Sequence, residues 1–199
     1  MNLRGVIPVT PIILASASPR RRELLANLGL DFNVKVSEVN EIMEDGVPPA
    51  QLVEKLAERK AAAVAAESKE GLVIGADTLV VFAGRPLGKP ASRQEAVQMI
   101  NILQGQRHEV LTGLAVIDAA TGQSVITHQS TAVCFKPMTR EQIERYVNTG
   151  EPFDKAGAYA VQGKASIFID SIQGCYFNVV GLPVSKLADA LRVFGVEIL

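Results

Sequence analysis

Pro11-Ile12-Ile13-Leu14-Ala15-Ser16-Ala17-Ser18-Pro19-Arg20-Arg21-Arg22-Glu23-Leu24-Leu25 is an apolar run, a small polar turn and the opening of a helix. Residues 11–15 read as a short buried strand. Ser18 is a favourable N-cap, Pro19 suits the first helical position, and Leu24, Leu25 and Leu28 form an apolar face ended by Gly29. A strand that feeds a helix through a tight turn is the unit of an open α/β sheet, and ligands of such sheets bind beyond the strand ends. The three arginines stand where a helix already carries partial positive charge. As a solvated face they would cost only about a few tenths of a kcal/mol. At the end of a sheet strand they point instead to an anion, held jointly by N–H groups, hydroxyls and guanidinium forks. A polyphosphate fits best, although the glycines and the Gly-Lys-Ser/Thr ending of a Walker loop are missing.

Outward from this stretch, strands and helices alternate. Residues 32–36 predict a strand. Residues 49–66 predict an Ala-rich helix with Leu52, Val53, Leu56, Ala57, Lys60, Ala63 and Val64 at helical spacing. Residues 72–82 predict a pair of apolar strands, with Ala83-Gly84-Arg85-Pro86 as turn chemistry beyond them. Ser92-Arg93-Gln94-Glu95 and Thr139-Arg140-Glu141-Gln142 are capping boxes that open two more helices. Residues 108–117 and 124–135 predict a hairpin around Ala119-Ala120-Thr121-Gly122. Residues 166–172 and 176–180 predict strands, and residues 183–193 a closing amphipathic helix. The pattern predicts an α/β fold: a mixed twisted sheet flanked by helices, in two lobes with a central cleft. Residues 1–10 read as an N-terminal extension and residues 11–199 as a single domain.

The chain has 199 residues, 48% hydrophobic and 21% charged, with a formal net charge of -1. That balance argues against a binder of nucleic acid polymers driven by overall charge. No run is long and apolar enough to span a bilayer. The segment before Ala15-Ser16-Ala17 mimics a signal peptide, but two prolines interrupt it and one basic residue precedes it, so a cytoplasmic protein is expected. Cys134 and Cys175 are expected to be buried reduced thiols, and His108 and His128 polar surface residues, since none shows metal-ligand spacing.

Asp77 interrupts the apolar run of residues 72–82, where an unpaired carboxylate is costly. It reads as a turn marker, a metal ligand or a general base, and its position near the basic turn favours a function. Glu41 reads as a loop acid or a ligand for Mg²⁺. Lys60 reads as a helix lysine by default. Lys89, held extended before Pro90, reads as a phosphate contact or a surface residue. Gln162, in Val161-Gln162-Gly163, can both donate and accept, as the edge of a pyrimidine requires.

Taken in order, Ser16-Ala17-Ser18-Pro19-Arg20-Arg21, Lys60 in Leu56-Ala57-Glu58-Arg59-Lys60-Ala61, Gly75-Ala76-Asp77-Thr78, Leu87-Gly88-Lys89-Pro90, Asp154-Lys155-Ala156-Gly157-Ala158-Tyr159 and Val179-Val180-Gly181-Leu182-Pro183 resemble the Maf family of nucleotide pyrophosphatases. The resemblance covers nearly the whole chain after residue 10. It implies a fold like that of the inosine-triphosphate pyrophosphatases, a divalent metal (Mg²⁺ or Mn²⁺), a homodimer, and hydrolysis of a nucleoside triphosphate to the monophosphate and pyrophosphate. It implies Asp77 as proton acceptor and, with Glu41, as metal ligand. Ser16, Ser18, Arg20, Arg21, Lys60, Thr78, Lys89 and Gln162 are then substrate contacts, with Arg20, Thr78 and Gln162 at positions linked to substrate choice. Thr78 and Gln162 resemble the dTTP/UTP subgroup. Family members are tied to arrest of septum formation and to clearing non-canonical nucleotides. Arg59 and Gly88 depart from acids seen in some members. A non-catalytic nucleotide sensor of division and a purine- or 7-methyl-GTP-directed pyrophosphatase are the alternative readings.

Overall fold

The computed structural model describes residues 10–39 and 46–199. Its strands are β1 (Ile12–Leu14), β2 (Phe32–Val34), β3 (Leu72–Phe82), β4 (Arg85–Leu87), β5 (Arg107–Asp118), β6 (Ser124–Phe135) and β7 (Ile169–Gln173). Its helices are α1 (Pro19–Asn27), α2 (Pro49–Ala66), α3 (Arg93–Leu103), α4 (Arg140–Val147), α5 (Tyr176–Val180) and α6 (Val184–Val193). The seven-stranded sheet runs β2-β1-β3-β5-β6-β7, with β4 paired to β3. β1 pairs parallel with β2 and β3, and the remaining pairings are antiparallel, so the sheet is mixed as the sequence predicts.

The register of β3 opens the cleft. β5 occupies one edge of β3 from Leu72 to Val81. On the other edge, β1 covers Leu72 to Ile74 and β4 covers Val80 to Phe82. Among the described residues no strand pairs with residues 75–79 on that edge, and Asp77 stands in the middle of the gap. The turn that follows β1 lies beside it, because Ala15 N–H donates to the Ile74 carbonyl at 2.8 Å.

Side chains alternate across a strand, so β3 and β5 serve two faces. Leu72, Ile74, Ala76, Leu114 and Val116 join α1 and α6 in one core, and Val80 and Val110 join α3 and α4 in a second. In the first core, Leu187 and Leu191 of α6 are fully buried, each burial contributing roughly 1.5–3 kcal/mol. Between the two cores the same face carries Thr78 opposite Thr112, a polar seam where the lobes meet. The opposite face packs against α2 through Val73, Ala115, Leu79 and Leu111.

α2 lies unusually close to the sheet because Gly75 and Gly113 have no side chain. A Cβ at Gly75 would sit 2.8 Å from the Ala61 nitrogen, and one at Gly113 2.8 Å from the Glu54 nitrogen. Ala57 and Ala61 complete the contact from the helix side.

Three expectations change. Residues 72–82 form one continuous strand, not a pair. A two-residue turn follows, with Ala83 and Gly84 both at positive φ (48° and 76°) as a twisted hairpin requires. Residues 176–180, β-branched and aromatic, form α5 instead of a strand. Tertiary contacts override local preference there, since the Asn178 amide donates to Val110 O at 2.8 Å and to Thr131 Oγ1 at 2.9 Å. The strand expected at residues 166–172 begins only at Ile169. A 3₁₀ turn, Lys164–Phe168, precedes it, its first N–H groups taken by the Glu151 carboxylate. The box at Thr139 is complete, Thr139 and Gln142 each accepting the other's N–H, whereas at α3 Ser92 accepts from Glu95 N–H but the Glu95 carboxylate takes the Ala91 N–H instead of that of Ser92. The N-terminal extension lies outside the described residues but for Thr10.

Gly113→Ala is expected to lower stability by about 1–3 kcal/mol through overpacking against the backbone of α2. Urea denaturation midpoints of the variant and the wild type check this.

Candidate active site

A cleft of about 410 Å³ opens at the gap in β3. The turn after β1 and the start of α1 form one wall, with Ser16, Ser18, Arg20 and Arg21. Lys60, Asp77 and Thr78 form the floor. Lys89, Asp154, Lys155 and Tyr159 form the far wall. Seven predicted contacts therefore share one cavity with Asp77. Gln162 is not among the lining residues: Val161 is, and Gln162 is exposed on the turn beside it. Glu41 lies outside the described residues.

Asp77 is 6% exposed and Lys60 8%. Lys60 Nζ donates to Asp77 Oδ1 at 2.5 Å. Lysine at this helical position is solvated by default, but the glycine-mediated approach of α2 turns it into the cleft. Desolvating two ions costs several kcal/mol each, so a pair this buried is a poor device for stability alone. Asp77 belongs to the face of β3 that meets α2, whereas Thr78 belongs to the other face.

The arginines of α1 acquire partners that the sequence does not reveal. Arg20 Nε donates to Val180 O at 3.4 Å and Arg21 Nε to Gly181 O at 2.8 Å, so both reach the C-terminal end of α5, where cations are favoured. Arg21 also donates to Ser16 Oγ and to Thr78 Oγ1, each at 3.1 Å. Ser18 caps α1 by accepting from Arg21 N–H at 3.5 Å. The first turn of α1 contains no acid to offset this positive end.

On the far wall, Lys155 pairs with Asp154 and keeps its side chain 13% exposed. Burial pushes the Asp154 carboxyl up, but the hydrogen bond and charge of Lys155, with the charge of Arg20, together hold it below the usual carboxylate range. Arg20 is thus felt across the cleft. Lys155 is a site residue that sequence reasoning missed, although it stands inside a motif already singled out. Thr112 was missed too, and its signal was the one that exposed Asp77: a polar residue interrupting a buried strand.

The metal question turns on donors. Among the described residues no group of three His, Cys, Asp or Glu side chains is placed to hold an ion. While Asp154 on the far wall is paired with Lys155, the Asp77 carboxylate on the floor suits a hard cation of the Mg²⁺ type, which takes most of its ligands from phosphate and water. It does not suit a cation caged by protein alone.

The histidine expectation is corrected. His108 is 2% exposed, because its β5 position faces the second core. Its ring lies edge-on to Phe135 and Tyr159, and Nε2 is 2.7 Å from the Tyr159 hydroxyl, which anchors this cleft residue from behind. Burial lowers its pKa to about 4 and pushes the Tyr159 phenol up. His128 is half-buried against Glu54 at 2.7 Å. Cys134 and Cys175 are free and half-buried, not fully enclosed. No helix among the described residues is long and apolar enough to cross a membrane.

A family model described as Maf-like protein matches residues 11–194. A protein of Desulforamulus reducens named dTTP/UTP pyrophosphatase is 72% identical over 188 residues, covering 94% of this chain and 98% of the relative. Proteins of the same name from Pelotomaculum thermopropionicum and Moorella thermoacetica are 55% and 52% identical, covering 94% and 96% of this chain and 98% of each relative. Among solved structures, a HAM1 protein from Coxiella burnetii aligns with a TM-score of 0.52 at 17% identity, covering 93% of this chain and 100% of that one, a likeness of fold.

His108 predicts a pH effect. Its folded pKa lies below the unfolded value of 6.5, so the unfolded chain binds the extra proton first. Stability is full above pH 6.5, falls as pH drops below it, and levels off below about pH 4. Between pH 7 and pH 5 the loss from this group should be about 2 kcal/mol. Urea midpoints at the two pH values should differ less in His108→Gln than in the wild type.

Proposed function

This chain belongs to the Maf-like protein family, and from that membership we propose that its cleft hydrolyses nucleoside triphosphates of the dTTP and UTP type to the monophosphate and pyrophosphate. The observation that carries the reading is the buried Lys60–Asp77 pair in the gap of β3, facing the basic start of α1. A site that only bound anions would gain little from a carboxylate on its floor, since that charge repels phosphate. A hydrolytic site needs one to take a proton from water.

The triphosphate lies along the first turn of α1, where N–H groups, Ser16, Ser18 and the guanidiniums of Arg20 and Arg21 meet its oxygens. Lys60, Lys89 and Lys155 add positive charge from the floor and the far wall. Asp77 Oδ1 is occupied by Lys60, so Oδ2 is the atom that accepts the proton as water adds to the α-phosphorus. The bond from that phosphorus to the bridging oxygen breaks, and its electrons leave with pyrophosphate. Negative charge grows on the leaving group during this step, so the cations of α1 act on turnover as well as on binding. A Mg²⁺ or Mn²⁺ ion held by Asp77 would, when bound, neutralise phosphate oxygens further. Gln162 is exposed on the turn beside the lining residue Val161.

Asp77→Asn keeps the shape and removes the proton acceptor. Its turnover of dTTP should fall about a hundredfold or more, the scale of a lost general base, in a protein that still binds the nucleotide. Pyrophosphate release measured over dTTP, UTP, CTP, ITP and 7-methyl-GTP checks both the activity and its base preference. Arg20→Ala should raise KM and lower kcat together, and unchanged values would remove Arg20 from the phosphate site.

A further inference from the structure

The hydroxyls of Ser16 and Thr78 line the same cleft with opposite hydrogen-bonding polarity. We propose that Arg21 and Thr112 are positioning residues that set this polarity, so that Ser16 donates to a phosphate oxygen while Thr78 accepts from the imide N–H of the base. The inference deepens the proposed pyrophosphatase reading and rests on it.

The direction of the chain follows from its two ends. A guanidinium can only donate, and a backbone carbonyl can only accept. Arg21 Nη2 donates to Thr78 Oγ1 at 3.1 Å. Thr112 Oγ1 donates its one proton to Asn178 O at 2.9 Å. The 3.0 Å contact between the two threonine hydroxyls must then be a donation from Thr78 to Thr112. Thr112 and Asn178 are fully buried, so no bulk water offers an alternative. Asn178 is held in turn by its amide donations to Val110 O and Thr131 Oγ1. Thr78 has thus spent its proton and one lone pair, and it offers the cleft only an acceptor. A phosphate oxygen there would set lone pair against lone pair.

Ser16 is the reverse case. Its Oγ accepts from Ser18 N–H at 3.2 Å and from Arg21 Nη1 at 3.1 Å. Both lone pairs are engaged, and among the described residues no acceptor takes its proton. It faces an anion as a donor.

The chemistry selects the partner of Thr78. The relatives are named for dTTP and UTP, whose bases share an imide N–H; cytosine carries a bare acceptor nitrogen at that position. An acceptor-locked Thr78 favours the first kind and repels the second.

The test measures binding of dTMP, dCMP and inorganic pyrophosphate to the full chain by calorimetry. Thr78→Val should weaken dTMP about tenfold and leave pyrophosphate within twofold. Thr112→Val frees the Thr78 proton, so the preference for dTMP over dCMP should shrink at least threefold, mainly by a gain for dCMP. Thr112→Ser, which keeps the hydroxyl, should restore the wild-type preference. Equal weakening of pyrophosphate and dTMP by Thr78→Val would overturn the proposal, as would an unchanged preference in Thr112→Val. If Thr112→Val does not fold, wild type and Thr78→Val are compared on N3-methyl-dTMP and 3′-deoxy-TMP. Loss of the Thr78 effect with N3-methyl-dTMP supports the imide contact, and its loss only with 3′-deoxy-TMP overturns it. A wild type that releases no pyrophosphate from dTTP or UTP refutes the enzymatic reading separately, since the product affinities still report the polarity.

Discussion

The near-contact of α2 with the sheet governs this site. At Gly75 and Gly113 the helix backbone comes so close that a single methyl group would push it away. That approach carries Lys60 to Asp77 and places an ion pair where solvent is scarce. It also lines this same face of the sheet with small side chains, Ala57, Ala61 and Ala115. The sheet thus has one face pressed tightly by a single long helix and another shared by two cores. The cleft is the break in strand pairing between those cores.

The same strand supplies two chemistries because its side chains alternate. Asp77 looks toward α2 and finds a lysine. Thr78 looks the other way and finds an arginine from α1 and a threonine from β5. Arg20 and Arg21 join this arrangement from the far side by holding the carbonyl end of α5. α5 is in turn pinned to β5 and β6 through Asn178 and Thr131. The arginines of the cleft, the Thr78 hydroxyl and the placement of a short helix therefore depend on one polar seam between two apolar cores. Such a seam is costly unless its members are satisfied, and among the described residues nearly every donor and acceptor in it has a partner. Asn178 Oδ1 is the exception within it.

Much of this was legible beforehand because it rests on local signals. Ser18-Pro19 marks the start of α1, the two capping boxes mark α3 and α4, and the Ala-rich period marks α2. Asp77 announced itself as a carboxylate in an apolar run. The failures share a cause. Residues 176–180 have strand-like side chains but are held as a helix by Asn178, a partner distant in sequence. His108 looks polar in a list of residues, yet its register on β5 turns it into a core. Gln162 stands next to a lining residue and not among them, a distinction of side-chain direction on a turn.

Sequence alone determined the order of most elements, the mixed α/β class, and the gathering of a basic turn with Asp77, because periodicity, caps and misplaced charges are written along the chain. Tertiary structure decided what those charges meet. The Lys60–Asp77 pair, the double duty of Arg21 and the direction of the threonine chain all need two glycines, a strand register and a helix end to coincide in space. No local pattern encodes such coincidences, since each contact joins residues whose separation along the chain exceeds any helical or strand period.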